Sequence, residues 1–111
     1  MIGADAIRGH IDLIVLSILE RGPSYAYAIS QTITERSGGA YVMKQTTLYT
    51  AVKRLEQQGQ LSSDEGVSPS GKPRTYYRIT ADGLEQLRRK REEWVLTQDL
   101  VNQFVEGRDP A

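Results

Sequence analysis

Nine consecutive residues, "TTLYTAVKR" from Thr46 to Arg54, hold three threonines, a tyrosine, a lysine and an arginine. Threonine hydroxyls can reach base edges, and lysine and arginine bind guanine or phosphate, so this is a donor set suited to a nucleic-acid groove. Read at 100° per residue, Thr46, Thr50, Lys53 and Gln57 share one side of a helix, with Tyr49 and Arg54 at the flanks. Leu48, Val52 and Leu55 form the opposite side, and Thr47 adds a hydroxyl at the start. A second basic group follows. Lys72, Arg74 and Arg78 lie in or beside "GVSPSGKP", Gly66 to Pro73, where they would neutralise backbone charge. Any amphipathic surface helix also shows polar residues outside, and Asp64 and Glu65 pull against a polyanion. The residue types alone therefore leave a plain solvated surface open.

Other chemistries find no residues. The chain has no cysteine, which excludes disulfides, a thiol nucleophile and cysteine-ligated zinc. His10 is the single histidine, so no transition-metal site is expected. There is no Ser/His/Asp arrangement, no phosphate-cradling glycine loop and no pair of catalytic carboxylates, so we expect neither an enzyme nor a cofactor. "MIGADAIRGH" lacks the basic and apolar regions of a signal peptide, and the longest apolar run, Leu13 to Leu16, is too short for a membrane span. The expectation is a cytoplasmic protein with no membrane partner.

With 111 residues, 39% hydrophobic and 25% charged, the chain suits one globular domain that buries a modest core. Its net charge is zero, but unevenly spread. Residues 1–43 carry three basic and four acidic side chains (−1), residues 44–91 ten and five (+5), and residues 92–111 one and five (−4). A basic middle and an acidic tail fit a polyanion-facing segment, and fit ordinary surface fluctuation as well.

The elements that would position these residues follow from periodicity and punctuation. A first helix is predicted over roughly Asp5 to Arg21, apolar on most faces and stopped by Gly22-Pro23. Ser24 is the expected cap of a second, running to about Ser37, with Tyr25, Ile29 and Ile33 on one face and Gly38-Gly39 at its end. "AYVM", Ala40 to Met43, reads as one small strand. A third helix covers about Thr46 to Gln58. "QLSSDE" and "RTYYRI" around a flexible tip make a β-hairpin whose second strand turns Thr75, Tyr77 and Ile79 one way and Arg74, Tyr76 and Arg78 the other. Thr80 then caps a long fourth helix, about Ala81 to Val105.

Three helices followed by a hairpin is the winged helix-turn-helix plan, in which the third helix enters the major groove and the hairpin touches backbone or minor groove. The fold class expected is mainly α with a small β-hairpin wing and a long C-terminal helix. Residues 1–80 would form the DNA-binding domain, and residues 81–111 the dimerisation helix and acidic tail. On that helix Leu84, Leu87, Trp94, Val101 and Val105 form a broad apolar face that Leu100 and Phe104 widen, and one projecting helix cannot bury it alone. "RRKREE", Arg88 to Glu93, interrupts the stripe as a solvated turn.

"TTLYTAVKRLEQQGQL" followed by "SGKPRTYYRITADG" resembles the PadR family of bacterial transcriptional regulators. That family typically shows a "TLY-x-x-L-x-R-L-x-x-x-G" helix and a "G-[RK]-P-x-x-x-Y-x-[LI]-T-x-x-G" wing. The likeness spans about Arg8 to Trp94. It implies a homodimer binding double-stranded operator DNA, usually as a repressor, with Tyr49, Lys53 and Arg54 in the recognition helix and Lys72 and Arg74 in the wing. Where family members often have a serine or threonine cap, this chain has Lys44, and Thr46 is the alternative cap. The resemblance also implies that the long helix dimerises. For Trp94 two roles stay open: an anchor of the dimer interface, or a stacking surface for a planar aromatic effector. Two other readings of the whole chain stay open as well: a winged-helix module that binds protein instead of DNA, and a MarR-like dimer whose N-terminal helices also pair.

Overall fold

The computed structural model describes residues 1–107; the end of the acidic tail, residues 108–111, lies outside the described residues. In chain order the elements are α1 (Ala4–Ile7), a 3-10 turn (Arg8–His10), α2 (Ile11–Leu19), β1 (Ser24–Tyr25), α3 (Ala26–Arg36), α4 (Gln45–Gln57), β2 (Leu61–Val67), β3 (Pro73–Ile79) and α5 (Ala81–Val105). The fold is mainly helical with a three-stranded antiparallel sheet ordered β1-β3-β2, the winged helix-turn-helix expected from the sequence.

Helices α2, α3 and α4 bury the faces their periodicity marks. Val15, Leu16 and Leu19 meet Ile29 and Ile33, and Leu48, Val52 and Leu55 close the core from the third side. Leu61 and Tyr77 extend that core under the sheet, with Ile79 packed against it. Tyr77 is 1% exposed, and burial pushes its phenol pKa up. The alternation in β3 thus turns Tyr77 and Ile79 inward and leaves Arg78 outside, as read from the sequence.

Several expectations are corrected. The first helix is not continuous: it tightens into a 3-10 turn around Gly9 and restarts at Ile11, ending at Leu19. Glycine in a helix interior loses backbone entropy and packs nothing, which makes this the weakest link in the run. Ser24 does not cap α3. It pairs with Tyr77, and Tyr25 pairs with Tyr76, to give the two-residue strand β1; Tyr25 then stands at the helix N-cap without a side-chain bond. Ala40–Met43 is not a strand, because no neighbouring strand offers it a ladder. The Ala40 carbonyl instead accepts from the Ile2 amide at 2.8 Å, the Ser37 hydroxyl holds the Tyr41 amide, and Tyr41 and Met43 plug into the core. α4 begins at Gln45 with Lys44 at the N-cap, and neither Lys44 nor Thr46 supplies a side-chain cap.

The hairpin tip is five residues, Ser68 to Lys72, shorter than the Gly66–Pro73 stretch read from the sequence. It is closed by Ser68 N donating to Lys72 O and Gly71 N donating to Ser68 O, each at 2.8 Å, around the buried Ser68 side chain. Pro73 stands first in β3, where its missing N–H costs the ladder least.

α5 runs Ala81–Val105, as expected, about 37 Å long at 1.5 Å per residue. The Thr80 hydroxyl caps it by accepting from Gly83 N at 3.0 Å and donates to Gly59 O at 2.7 Å. Its first turns pack on α2 and β3. Leu87 is 1% exposed and belongs to this core, so its side chain is not part of the open apolar face further along α5. The Arg91 guanidinium holds both Glu20 oxygens, at 2.7 and 3.2 Å, and lowers the Glu20 carboxyl pKa. Arg88 pairs with Glu85 and Glu92 along the exposed side of the predicted solvated turn. No helix among the described residues is long and apolar enough to cross a membrane.

Candidate nucleic-acid interface

α4 buries Leu48, Ala51, Val52 and Leu55 and exposes Gln45, Thr46, Tyr49, Thr50, Lys53, Arg54 and Gln57; Thr47 is half-buried. The polar face read from the sequence is therefore an open helical ridge. Thr50 Oγ1 donates back to Thr46 O at 2.9 Å, which leaves its lone pairs facing solvent as acceptors. Lys53 is exposed and has no carboxylate within ion-pair distance among the described residues.

Arg54 differs. Its guanidinium grips Asp12 of α2 through two bonds, at 2.5 and 2.8 Å, and that hydrogen bonding raises its pKa. A forked arginine–carboxylate pair of this kind fixes orientation as well as charge. Arg54 thus braces α4 against α2, and its charge is already matched. Glu56, the acidic neighbour, is turned away: the Ser63 hydroxyl of β2 donates to it, at the far end of the helix from Thr46.

Two clefts of about 410 Å³ each flank the ridge. One lies toward the N-terminal segment and is lined by Arg8, Asp12, Thr46, Thr47, Thr50 and Arg54. The other lies toward the wing, between Tyr25 and Tyr27 at the start of α3, Gln45 and Tyr49 of α4, and Arg74 of β3. The ridge and both clefts bring together Thr46, Thr47, Tyr49, Thr50, Arg54 and Arg74. Lys72 stands apart at the wing tip, exposed and without an ion pair among the described residues. Arg78, opposite Ser62 on the ladder, pairs with Asp64 at 3.5 Å. The two acidic wing residues are thereby occupied: Asp64 by Arg78, and Glu65 as acceptor from Thr75 Oγ1 at 3.2 Å.

The wing-side cleft contains residues that sequence reasoning missed. Arg74 lies over the Tyr25 ring at 5.2 Å and the Tyr27 ring at 5.7 Å. Tyr25 meets Tyr76 edge-on at 5.2 Å, and the Tyr76 hydroxyl donates to Val67 O at 2.8 Å. Gly66 permits this arrangement, since a Cβ there would come within 2.9 Å of the Tyr76 ring. Tyr25 and Tyr27 are some fifty residues from Arg74 in sequence, and the β1–β3 pairing brings them together.

On α5, Val95, Leu96, Leu100, Val101, Phe104 and Val105 stand exposed together, Phe104 at 79%. Leu84 is exposed nearer the start. Trp94 is 39% exposed and meets the His10 ring edge-on at 4.9 Å, which accounts for the single histidine.

Comparison with known proteins agrees with this geometry. The model of the transcriptional regulator PadR-like family matches residues 15–89. An uncharacterised protein of Lysinibacillus sphaericus is 36% identical over 107 residues, covering 96% of this chain and 98% of that protein. A solved transcriptional regulator from Clostridium thermocellum superposes with a TM-score of 0.86 at 46% identity, over 95% of this chain and 99% of its own. A PadR family transcriptional regulator from Eggerthella lenta superposes with a TM-score of 0.79 at 36% identity, over 92% and 87%.

Proposed function

The chain belongs to the PadR-like family of transcriptional regulators, and from that premise we propose that it is a homodimeric repressor that binds operator DNA through α4 and the wing. One observation carries this reading. α4 presents an open ridge of hydroxyls, an amide and the unpaired Lys53, and the wing beside it adds Lys72 and Arg74, neither matched by a carboxylate among the described residues. Lys53, Lys72 and Arg74, without a carboxylate partner on α4 and the wing, suit a polyanion, whereas Arg78 of the wing and the arginines of α5 are paired within the chain.

In this mechanism the two α4 helices of a dimer enter successive major grooves about 10 base pairs apart. Thr46, Thr47, Tyr49 and Thr50 face base edges, Lys53 faces guanine or phosphate, and Lys72 holds the flanking backbone. Residues 81–107 supply the second half of the device. The apolar face of α5 pairs with a second copy and so sets the distance between reading heads. A ligand that changed that spacing would release DNA, a coupling between two sites. Trp94, 39% exposed and in T-shaped contact with the His10 ring, is the residue we assign to a planar aromatic effector. Its fluorescence is then expected to quench with planar aromatic compounds; an unchanged signal across a varied panel would leave Trp94 as an interface anchor only.

Lys53 and Arg54 test the interface together. Binding to a mixed-sequence duplex, followed by fluorescence anisotropy over a series of salt concentrations, reports phosphate contacts as the slope of log affinity against log salt. Lys53→Ala is expected to weaken binding and flatten that slope by about 1 for each contact removed. Arg54→Ala is expected to leave the slope unchanged and to lower stability by about 1 kcal/mol, because its partner is Asp12. Equal slopes for wild type and Lys53→Ala would remove Lys53 from the interface. Binding insensitive to salt would favour a protein-interaction module.

A further inference from the structure

Arg74 is half-buried in the wall of the wing-side cleft, and three facts about it belong together. It has no carboxylate partner among the described residues, although Glu65 lines the same cleft. Its Nε is buried without a hydrogen-bond partner. Its guanidinium is held against two aromatic rings, Tyr25 at 5.2 Å and Tyr27 at 5.7 Å. A guanidinium lying over aromatic rings is held in place without loss of charge, and its terminal nitrogens remain to take a phosphate through two bonds.

The supports of those rings are fixed in turn. Gln31 Nε2 donates to the Tyr27 hydroxyl at 2.9 Å, so that phenol is turned along α3 and the ring face is what it offers to Arg74. Tyr25 is clamped by β1 and by Tyr76. On the opposite wall Gln45 is held by Nε2 donating to Ser30 Oγ at 2.6 Å, and Tyr49 stands exposed one turn further along α4. The cleft is open to solvent along the same side as the ridge of α4, and its volume, about 410 Å³, leaves room for a phosphodiester.

We infer that this cleft is a site for one phosphodiester of the strand flanking the groove, with Arg74 as its ligand and Tyr25 and Tyr27 as the residues that hold the guanidinium in place. The inference rests on the proposal that the protein binds DNA, and it adds two positioning residues outside α4 and the hairpin. Tyrosine replaces the carboxylate that usually orients an arginine; it holds the group in place without neutralising the charge, so the whole charge remains for the ligand.

The test compares wild type, Arg74→Ala, Tyr27→Leu and Tyr27→Phe by anisotropy on one mixed-sequence duplex over a salt series. Circular dichroism melts confirm that each variant folds; Tyr27 is exposed, so the helix beneath it stays packed. Removing one phosphate contact from each protomer of a dimer flattens the slope by about 1.8. Arg74→Ala is expected to show that loss, Tyr27→Leu most of it, and Tyr27→Phe none, since phenylalanine restores the ring face without the hydroxyl. A Tyr27→Leu slope equal to wild type beside a flattened Arg74→Ala slope would overturn the positioning role. An unchanged slope in Arg74→Ala would overturn the phosphate site. Absence of salt-dependent binding by the wild type would defeat the DNA-binding proposal itself and this inference with it.

Discussion

Aspartate at both Leu100 and Phe104 is expected to convert the proposed dimer to a monomer and to lower affinity for a two-half-site duplex by at least about a hundredfold. Both side chains stand exposed on the outer half of α5, beyond the Arg91–Glu20 pair and the Trp94–His10 contact. They are therefore free of any role in the core, and a contiguous apolar patch of this kind is one that soluble monomers rarely leave open. In the proposed dimer a second copy would remove it from water, and carboxylates there would have to be desolvated without partners. The loss of DNA affinity follows from geometry. In a dimer the second α4 reaches its half-site as an intramolecular event, whose effective concentration is worth roughly two to four orders of magnitude. Light scattering with size-exclusion chromatography reads the mass, and anisotropy reads the affinity. An unchanged dimer mass, or unchanged affinity in a protein shown to be monomeric, would contradict the account.

Gly83→Ala carries the largest expected effect on stability, about 3 kcal/mol of destabilisation, and its sign is not obvious from the helix alone. Alanine is favoured over glycine within a helix by about 1 kcal/mol. Here, however, a Cβ would lie 2.2 Å from the carbonyl oxygen of Gln60 and 2.7 Å from Ile79 Cγ1. The first of these is backbone, and it is held: Gln60 O accepts from the Thr80 amide at 3.1 Å, and the Thr80 hydroxyl donates to the adjacent Gly59 carbonyl. Relief requires pulling the first turn of α5 away from the start of β2, which breaks the cap and loosens Leu87 from the core. Against a total of about 5–15 kcal/mol for a domain, the loss is severe. Urea denaturation checks it, and a midpoint equal to or above wild type would show that the turn gives way at little cost.

The same position illustrates what could be read without a structure. Thr80 and the apolar spacing after it were enough to place α5 at Ala81–Val105, and Leu48, Val52 and Leu55 were enough to orient α4, because both signals are local and periodic. The hairpin was legible from Tyr77 and Ile79 alternating with Arg78 across a Gly/Pro/Ser tip. β1 was not, since two residues carry no period, and Tyr25 fits a helical stripe with Ile29 and Ile33 equally well. Nor does any local pattern mark the pairs that join distant parts of the chain: Arg54 with Asp12, Arg91 with Glu20, and Arg74 with Tyr25 and Tyr27. Those pairs decide which cations remain available. Arg54 and Arg74 look alike in sequence; the fold neutralises the first and leaves the second stacked and unmatched. Leu87 shows the same limit on α5, where an apolar residue in an apolar stripe turned out to face its own domain.

The central claim is that this chain reads a DNA sequence as a symmetric pair. Selection from a random duplex pool with the full-length protein tests that most directly. The account predicts enrichment of a two-fold-symmetric motif with half-sites about 10 base pairs apart, bound with a steep loss of affinity as salt rises. A pool that stays random after repeated rounds, with whatever binding remains indifferent to salt, would contradict it.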